Sequence, residues 1–295
     1  MFKKITALII GTVMFTLLLM GCSKSNKITI GSKDFTENKI LAEMMAQLIE
    51  NNSDIKVQRK INMGGTFVCF QALKKGQIDL YPEYTGTGLT AQLKQPVQTD
   101  PDRVYEIVSK EFEKKFNIKW LKPVGFNNTY ALAVKREVAS KYKMESVSDL
   151  AKYSKNLVFG GEHEFFNRED GYNGMIKTYN LKFKSTAKMD VSLKYQAIGQ
   201  GKMDVTDAFT TDGQLKALNL KVLKDDKNFF PPYYAAPIVR DAALKKYLQL
   251  EKLLNRLAGT INNETMQELN YKVDNQKQSI SKVAGDFLKK KGLIK

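Results

Sequence analysis

A stretch of the chain recurs 125 positions further on, without a gap. Ala72, Gly76, Asp79, Thr85 and Gly88 in the run from Ala72 to Gly88 coincide with Ala197, Gly201, Asp204, Thr210 and Gly213, and Tyr84 falls opposite Phe209. Two more echoes accompany it: Tyr130 to Arg136 against Tyr234 to Arg240, and Ile30-Gly31 against Phe159-Gly160. A duplicated helix-turn-strand unit predicts two α/β lobes of similar design, and 295 residues leave room for two.

Short apolar runs ending in Gly or Pro alternate with helical patterns, which predicts α/β lobes with largely parallel sheets. Lys27 to Gly31 reads as a strand, and Val57 to Ile61 as another. Glu37 to Glu50 reads as a helix with Ile40, Leu41, Met44, Met45, Leu48 and Ile49 on one face. Asp34, three residues before Glu37, suits a capping box there. Arg103 to Phe116 places Val104, Ile107, Val108 and Phe112 inward, and the chain beyond Leu244 is mostly helical. In the main echo an aromatic residue follows a short strand and precedes Thr and Gly residues that open a helix. That is the carboxyl end of a sheet strand, where open α/β sheets hold ligands. Two such lobes face to face enclose a cleft.

The amino-terminal residues predict export. Lys3 and Lys4 precede an uncharged apolar run, Ile5 to Met20, then Gly21, Cys22 and a polar linker, Ser23 to Asn26. The run is short for a spanning helix, which needs about 20 residues. The pattern resembles a lipoprotein signal over residues 1–21, with Cys22 as the lipidated residue and 22–26 as its linker. A diacylglyceryl group would hold the chain on the extracytoplasmic face of the cell membrane. With Cys22 so used, Cys69 is a buried free thiol within Phe67-Val68-Cys69-Phe70.

Composition removes several chemistries. One His in the chain argues against His-based triads and zinc hydrolases; Glu162-His163-Glu164 has no second His to complete a metal site. There is no phosphate-loop motif and no Gly-x-Ser-x-Gly context, so an enzyme on this scaffold has no visible nucleophile-base pair. The net charge of +16 invites a nucleic-acid or wall-binding reading. The basic residues are spread along many helices, with Lys289-Lys290-Lys291 the one run, so a solvated basic surface beside an anionic membrane or wall accounts for them better.

Five motifs then occur in order: Ile30 to Glu37 (IGSKDFTE), Tyr81 to Gly88 (YPEYTGTG), Phe166 to Tyr172 (FNREDGY), Asp207 to Gly213 (DAFTTDG) and Phe229 to Tyr233 (FFPPY). They resemble those of the substrate-binding proteins of osmoprotectant ABC importers, which bind glycine betaine, carnitine, choline and proline betaine. The likeness runs from Lys27 to Lys295. It implies a two-lobed periplasmic-binding-protein-like fold of type II, two α/β domains with the ligand cleft between them. It also implies a monomer without cofactor or catalysis, working with permease and ATPase subunits. Carried over residue by residue, Tyr84, Tyr130, Phe209 and Tyr233 would form an aromatic box around a quaternary ammonium. Lys33, Thr87 and Arg168 would hold the ligand's carboxylate. Phe209 departs from the Tyr that many relatives carry, which leaves room for another betaine such as ergothioneine. Tyr172 and Tyr234 would be neighbours that shape the wall. The crossovers put one lobe at 27–128 plus 235–295 and the other at 129–234.

The chemistry of the residues agrees with that ligand class. A trimethylammonium has no N–H to donate, and its charge is spread over methyl surface, so aromatic faces solvate both features. Arg offers a planar fork to a carboxylate, and Lys a point charge.

Overall fold

A computed structural model describes residues 26–167 and 171–295. Cys22, with the rest of the export signal, and Arg168 lie outside them. Two five-stranded sheets organise the chain, in orders β2-β1-β3-β10-β4 and β7-β6-β8-β5-β9. The first holds β1 (Lys27–Gly31), β2 (Lys56–Lys60), β3 (Leu80–Tyr84), β4 (Ile118–Trp120) and β10 (Ala235–Arg240). The second holds β5 (Tyr130–Lys135), β6 (Val158–Glu162), β7 (Ser185–Met189), β8 (Val205–Phe209) and β9 (Leu220–Val222). The chain crosses between sheets after β4 and returns before β10. Two hydrogen bonds pin the crossovers together, Asn128 N–H to the Tyr233 carbonyl and Tyr233 N–H to Asn127 Oδ1. Five helices matter for the cleft: α1 (Thr36–Asn52), α2 (Thr66–Lys74), α3 (Val191–Gly199), α4 (Gly213–Ala217) and α5 (Asn263–Asp274).

The sheets are mixed rather than largely parallel. β1 runs parallel to β2 and β3, but β10 runs antiparallel to β3 and β4; β5 stands likewise against β8 and β9. The strand that arrives from the opposite lobe is inserted antiparallel between the central strand and one edge strand of each sheet. Strand-helix alternation alone does not reveal such an insertion, because the alternation continues through it.

The duplication is visible in hydrogen bonds. Gly76 and Gly201 both adopt positive φ, +71° and +74°, where a Cβ would be strained. Asp79 Oδ2 then accepts the Thr29 N–H at 2.8 Å, and Asp204 Oδ2 accepts the Val158 N–H at 2.9 Å. Gly31 makes room for Ile78, and Gly160 makes room for Met203, the residue equivalent to Ile78. One echo shifts by a residue. Thr85 N–H bonds the Tyr234 carbonyl and Thr210 N–H bonds that of Thr129, so Tyr130 corresponds to Ala235 and not to Tyr234.

Helix α1 buries Ile40, Leu41, Met44, Met45, Leu48 and Ile49 in the first core. Its start differs from the capping box expected: Phe35 is the N-cap, no side chain caps it, and Glu37 is turned elsewhere. Cys69 is buried and without a disulfide partner among the described residues, its thiol pushed up to about 11 by burial. Phe67 and Val68 beside it are exposed.

Candidate functional site

Each echoed strand ends on its aromatic residue. Tyr84 closes β3 and Phe209 closes β8, and Tyr130 opens β5 directly opposite Phe209. All three therefore meet between the sheets. They line one cavity of about 790 Å³ together with Lys33, Thr87 and Tyr233. Six of the seven residues picked from the sequence thus share one space, and Arg168 is the seventh. Tyr172 and Tyr234 do not line it; Tyr172 packs on Phe166 and Phe159 in the second core.

Glycine placement explains how the first lobe accommodates its rings. A Cβ on Gly86 would lie 2.7 Å from the Pro232 carbonyl and 2.8 Å from Tyr233 Cε1. Only a bare backbone after Tyr84 and Thr85 lets Tyr233, arriving from the return crossover, lie against that turn. In the second lobe Tyr130 and Phe209 stack at 4.5 Å between centroids, tilted by 28°. Carbon contacts need about 3.5–4 Å on each side, so no methyl group enters between them. The pair presents its outer faces to the cavity as one platform rather than as two opposed walls.

Lys33 is less available than the sequence suggested. Its ammonium donates to Glu83 Oε1 at 2.5 Å and to Thr66 Oγ1 at 2.9 Å, in a pair that is almost wholly buried. Glu83 also accepts from Tyr81, Gln92 and the Tyr84 N–H. Lys33 Nζ lies 5.2 Å from the Tyr84 ring centroid. An ammonium has three protons, so one remains for a ligand, but Glu83 already offsets the charge.

Acidic residues are the part of the cavity that the sequence reading missed. Asp34, Glu37, Glu162, Asp212 and Asp274 all line it. Glu37 Oε1 accepts from Tyr84 OH and from Asn128 Nδ2, each at 2.8 Å, and Oε2 accepts from Asn270 Nδ2 at 3.2 Å. Among the described residues no Lys or Arg forms an ion pair with it. Burial raises its pKa, outweighing the hydrogen bonds from Thr211, Tyr84, Asn270 and Asn128. Glu162 Oε1 accepts from Tyr130 OH at 3.0 Å, and burial raises its pKa against the pull of Lys194. Burial likewise raises Asp212, whose carboxylate accepts from Tyr195 and from the Phe209 N–H. One signal pointed to Glu37: it sits three and four residues before Ile40 and Leu41, a charge on the buried face of an amphipathic helix.

The two lobes also touch beside the cavity. Gln267 and Asn270 of α5 donate to the Thr210 and Thr211 carbonyls at 2.7 and 2.9 Å, and Lys216 of α4 pairs with Glu268. Gly213 lies so close to the Tyr271 backbone that a Cβ would come within 2.8 Å of its nitrogen.

Two lobes joined by paired crossovers, with an aromatic and acidic cleft between them, define a bilobal binding protein for small solutes. Residues 26–290 match the family of substrate-binding domains of ABC-type glycine betaine transport systems, and the chain belongs to that family. It is 38% identical over 273 residues to the carnitine transport binding protein OpuCC of Listeria monocytogenes, covering 92% of this chain and 89% of that one. It is 44% identical over 267 residues to the ergothioneine transport permease/ergothioneine binding protein EgtU of Helicobacter pylori; this covers 90% of the chain but 48% of that protein, so the chain spans about half its length. A crystal structure of a glycine betaine/carnitine/choline ABC transporter protein superposes with a TM-score of 0.87 at 38% identity, over 90% of this chain and 99% of that one. Apo YehZ from Escherichia coli superposes with a TM-score of 0.80 at 30% identity, over 90% and 99%. The relatives are transport binding proteins, a class that works outside the cytoplasm. No helix among the described residues is long and apolar enough to cross a membrane.

Proposed function

We propose that the protein captures a quaternary ammonium compound (glycine betaine, carnitine, choline or proline betaine) and hands it to the permease of an ABC importer, serving osmoprotection. One observation carries the reading. The cleft wall combines Tyr84, Tyr130, Phe209 and Tyr233 with buried carboxylates, while its lysine is already tied to Glu83. Such a wall favours a cation that needs no hydrogen-bond acceptor of its own. Each desolvated ring contributes about 0.5–2 kcal/mol to holding it. A micromolar site needs about −8 kcal/mol, so the ligand's other end must contribute. Thr87, the remaining proton of Lys33 and Arg168 are the groups we assign to a carboxylate.

Contacts from both lobes make the ligand favour the closed state by differential affinity. The lobes we propose are 27–128 with 235–295, and 129–234; the membership of the two sheets supports that division. We assign the anchor to a lipidated Cys22, which tethers the protein at the outer face of the membrane, and we take the binding unit to be a monomer. The 44% identity to EgtU favours including ergothioneine as a second candidate ligand in the same pocket.

Calorimetric titration with glycine betaine, carnitine, choline, proline betaine and ergothioneine tests the reading. Saturable binding of at least one compound is expected, lost in Tyr84→Ala and Tyr233→Ala proteins that melt as the parent does. Arg168→Ala is expected to weaken carboxylated ligands more than choline. Unchanged affinity in both tyrosine variants removes the box.

A further inference from the structure

We propose that Glu37 and Glu162, one from each lobe, hold negative charge behind the two box tyrosines and thereby make the cleft prefer a charged head group over a neutral one of the same shape. The inference rests on the cation reading above and specifies how the site would enforce it.

The geometry repeats in both lobes. Tyr84 OH donates to Glu37 at 2.8 Å and Tyr130 OH donates to Glu162 at 3.0 Å. Both carboxylates and both rings line the same cavity, and all four side chains are buried. A phenol that donates to a carboxylate gains electron density on oxygen and ring, which deepens the negative face that a cation meets. Burial keeps Tyr84 in the donor role: its phenol is raised well above its ordinary value by burial and by the adjacent Glu37 charge.

The charge balance repeats as well. In the first lobe Lys33 is paired with Glu83, which leaves Glu37 over. In the second, Lys194 is fully buried and bonds Asp207 at 2.6 Å; Glu162 stands farther from it, at 3.7 Å. Among the described residues, each lobe thus pairs its buried lysine most closely with a carboxylate other than the one that holds the box tyrosine, and in the second lobe Asp212 adds a further acid to the cavity. A merely structural acceptor for a phenol could be a neutral amide. A buried carboxylate is costly unless a charge of opposite sign arrives.

Glycine betaine and 3,3-dimethylbutanoate differ only in nitrogen against carbon at the head, as do choline and 3,3-dimethylbutan-1-ol. The test measures the ratio of affinities within each pair for the full chain and for Glu37→Gln and Glu162→Gln. Where the neutral compound is too weak for calorimetry, displacement of radiolabelled cation gives its constant. We expect Glu37→Gln to lower the cation-to-neutral ratio about tenfold, equivalent to about 1.4 kcal/mol, with the neutral constants within twofold of the parent. Glu162→Gln is expected to act in the same sense but less, because Lys194 partly offsets it. Should Glu37→Gln misfold, Tyr84→Phe leaves the carboxylate in place without its phenol and is expected to lower the ratio severalfold. Equal weakening of both members of each pair, or an unchanged ratio, overturns the proposal while leaving the binding function intact. A folded parent protein that binds no cation in either pair or in the wider screen overturns the reading of the cleft itself.

Discussion

The two lobes are built on one plan and finished differently. Both use a positive-φ glycine, an aspartate that captures the neighbouring strand's N–H, and an aromatic residue at the strand end. These features fix where a ring enters the cleft. The polar groups behind the rings do not correspond. Lys33 follows β1 and meets Glu83 on β3, whereas Lys194 lies on α3 and meets Asp207 on β8. Tyr84 has a hydroxyl for Glu37 to grip, while its counterpart Phe209 has none and the tyrosine of that lobe comes from β5. Duplication thus preserves the scaffold that aims a side chain, and each lobe sets a carboxylate behind its tyrosine with unrelated residues.

Breaking the buried lysines should give the largest effects. Lys194→Met leaves Asp207 fully buried with the Glu162 N–H as its one remaining donor among the described residues, and brings Glu162 no relief. Removing one partner of a buried pair typically costs about 3–5 kcal/mol. Lys33→Met leaves Glu83 with Tyr81, Gln92 and the Tyr84 N–H as donors, and should cost less. Urea denaturation of both variants measures the difference. A Lys33→Met loss as large as that of Lys194→Met would mean that neutral donors give a buried carboxylate no protection here.

The paired aspartates come next. Asp79→Ala and Asp204→Ala each orphan a backbone N–H, at about 1–3 kcal/mol when the group is buried. Asp79 should cost more, because it also faces Arg240 across 3.4 Å, a contact with no counterpart at Asp204 among the described residues. Melting curves of the two variants in one buffer rank them. Equal losses would show that the Arg240 contact contributes nothing to the fold.

How far the sequence reaches follows the same division between scaffold and finish. The echo, the strand over Lys27 to Gly31, the inward face of the helix from Pro101 to Phe116 and the ring positions are local patterns of spacing, and spacing survives in one dimension. The antiparallel insertion of β5 and β10 is not local, so the sheets looked more parallel than they are. Glu37 looked like half of a capping box, because the partners that claim it, Tyr84, Asn128 and Asn270, stand 47, 91 and 233 residues away. Lys33 looked free for the same reason, with Glu83 50 residues distant. Polar partnerships across a chain crossover leave no period to read. A charge on an apolar helix face is the one trace they leave, and Glu37 carried it.

The smallest effect concerns Phe209, the one box ring without a hydroxyl. Phe209→Tyr adds a hydroxyl to the second lobe, and two arguments limit what that can do. The stack on Tyr130 at 4.5 Å uses one face of the ring in either form, so the area offered to a ligand does not change. Asp212 bonds the Phe209 N–H and so sits at the backbone end of the ring, where it also takes the Tyr195 hydroxyl, whereas a new hydroxyl would stand at the ring's far end. Without a carboxylate behind it, a Tyr face attracts a cation little better than a Phe face, a difference well under about 1 kcal/mol. Affinity for each cation should therefore shift by less than about fivefold, read by calorimetry beside Tyr84→Phe. If Phe209→Tyr changes binding more than Tyr84→Phe does, the hydroxyl matters apart from the charge behind it, and the lobes differ in ligand chemistry rather than only in construction.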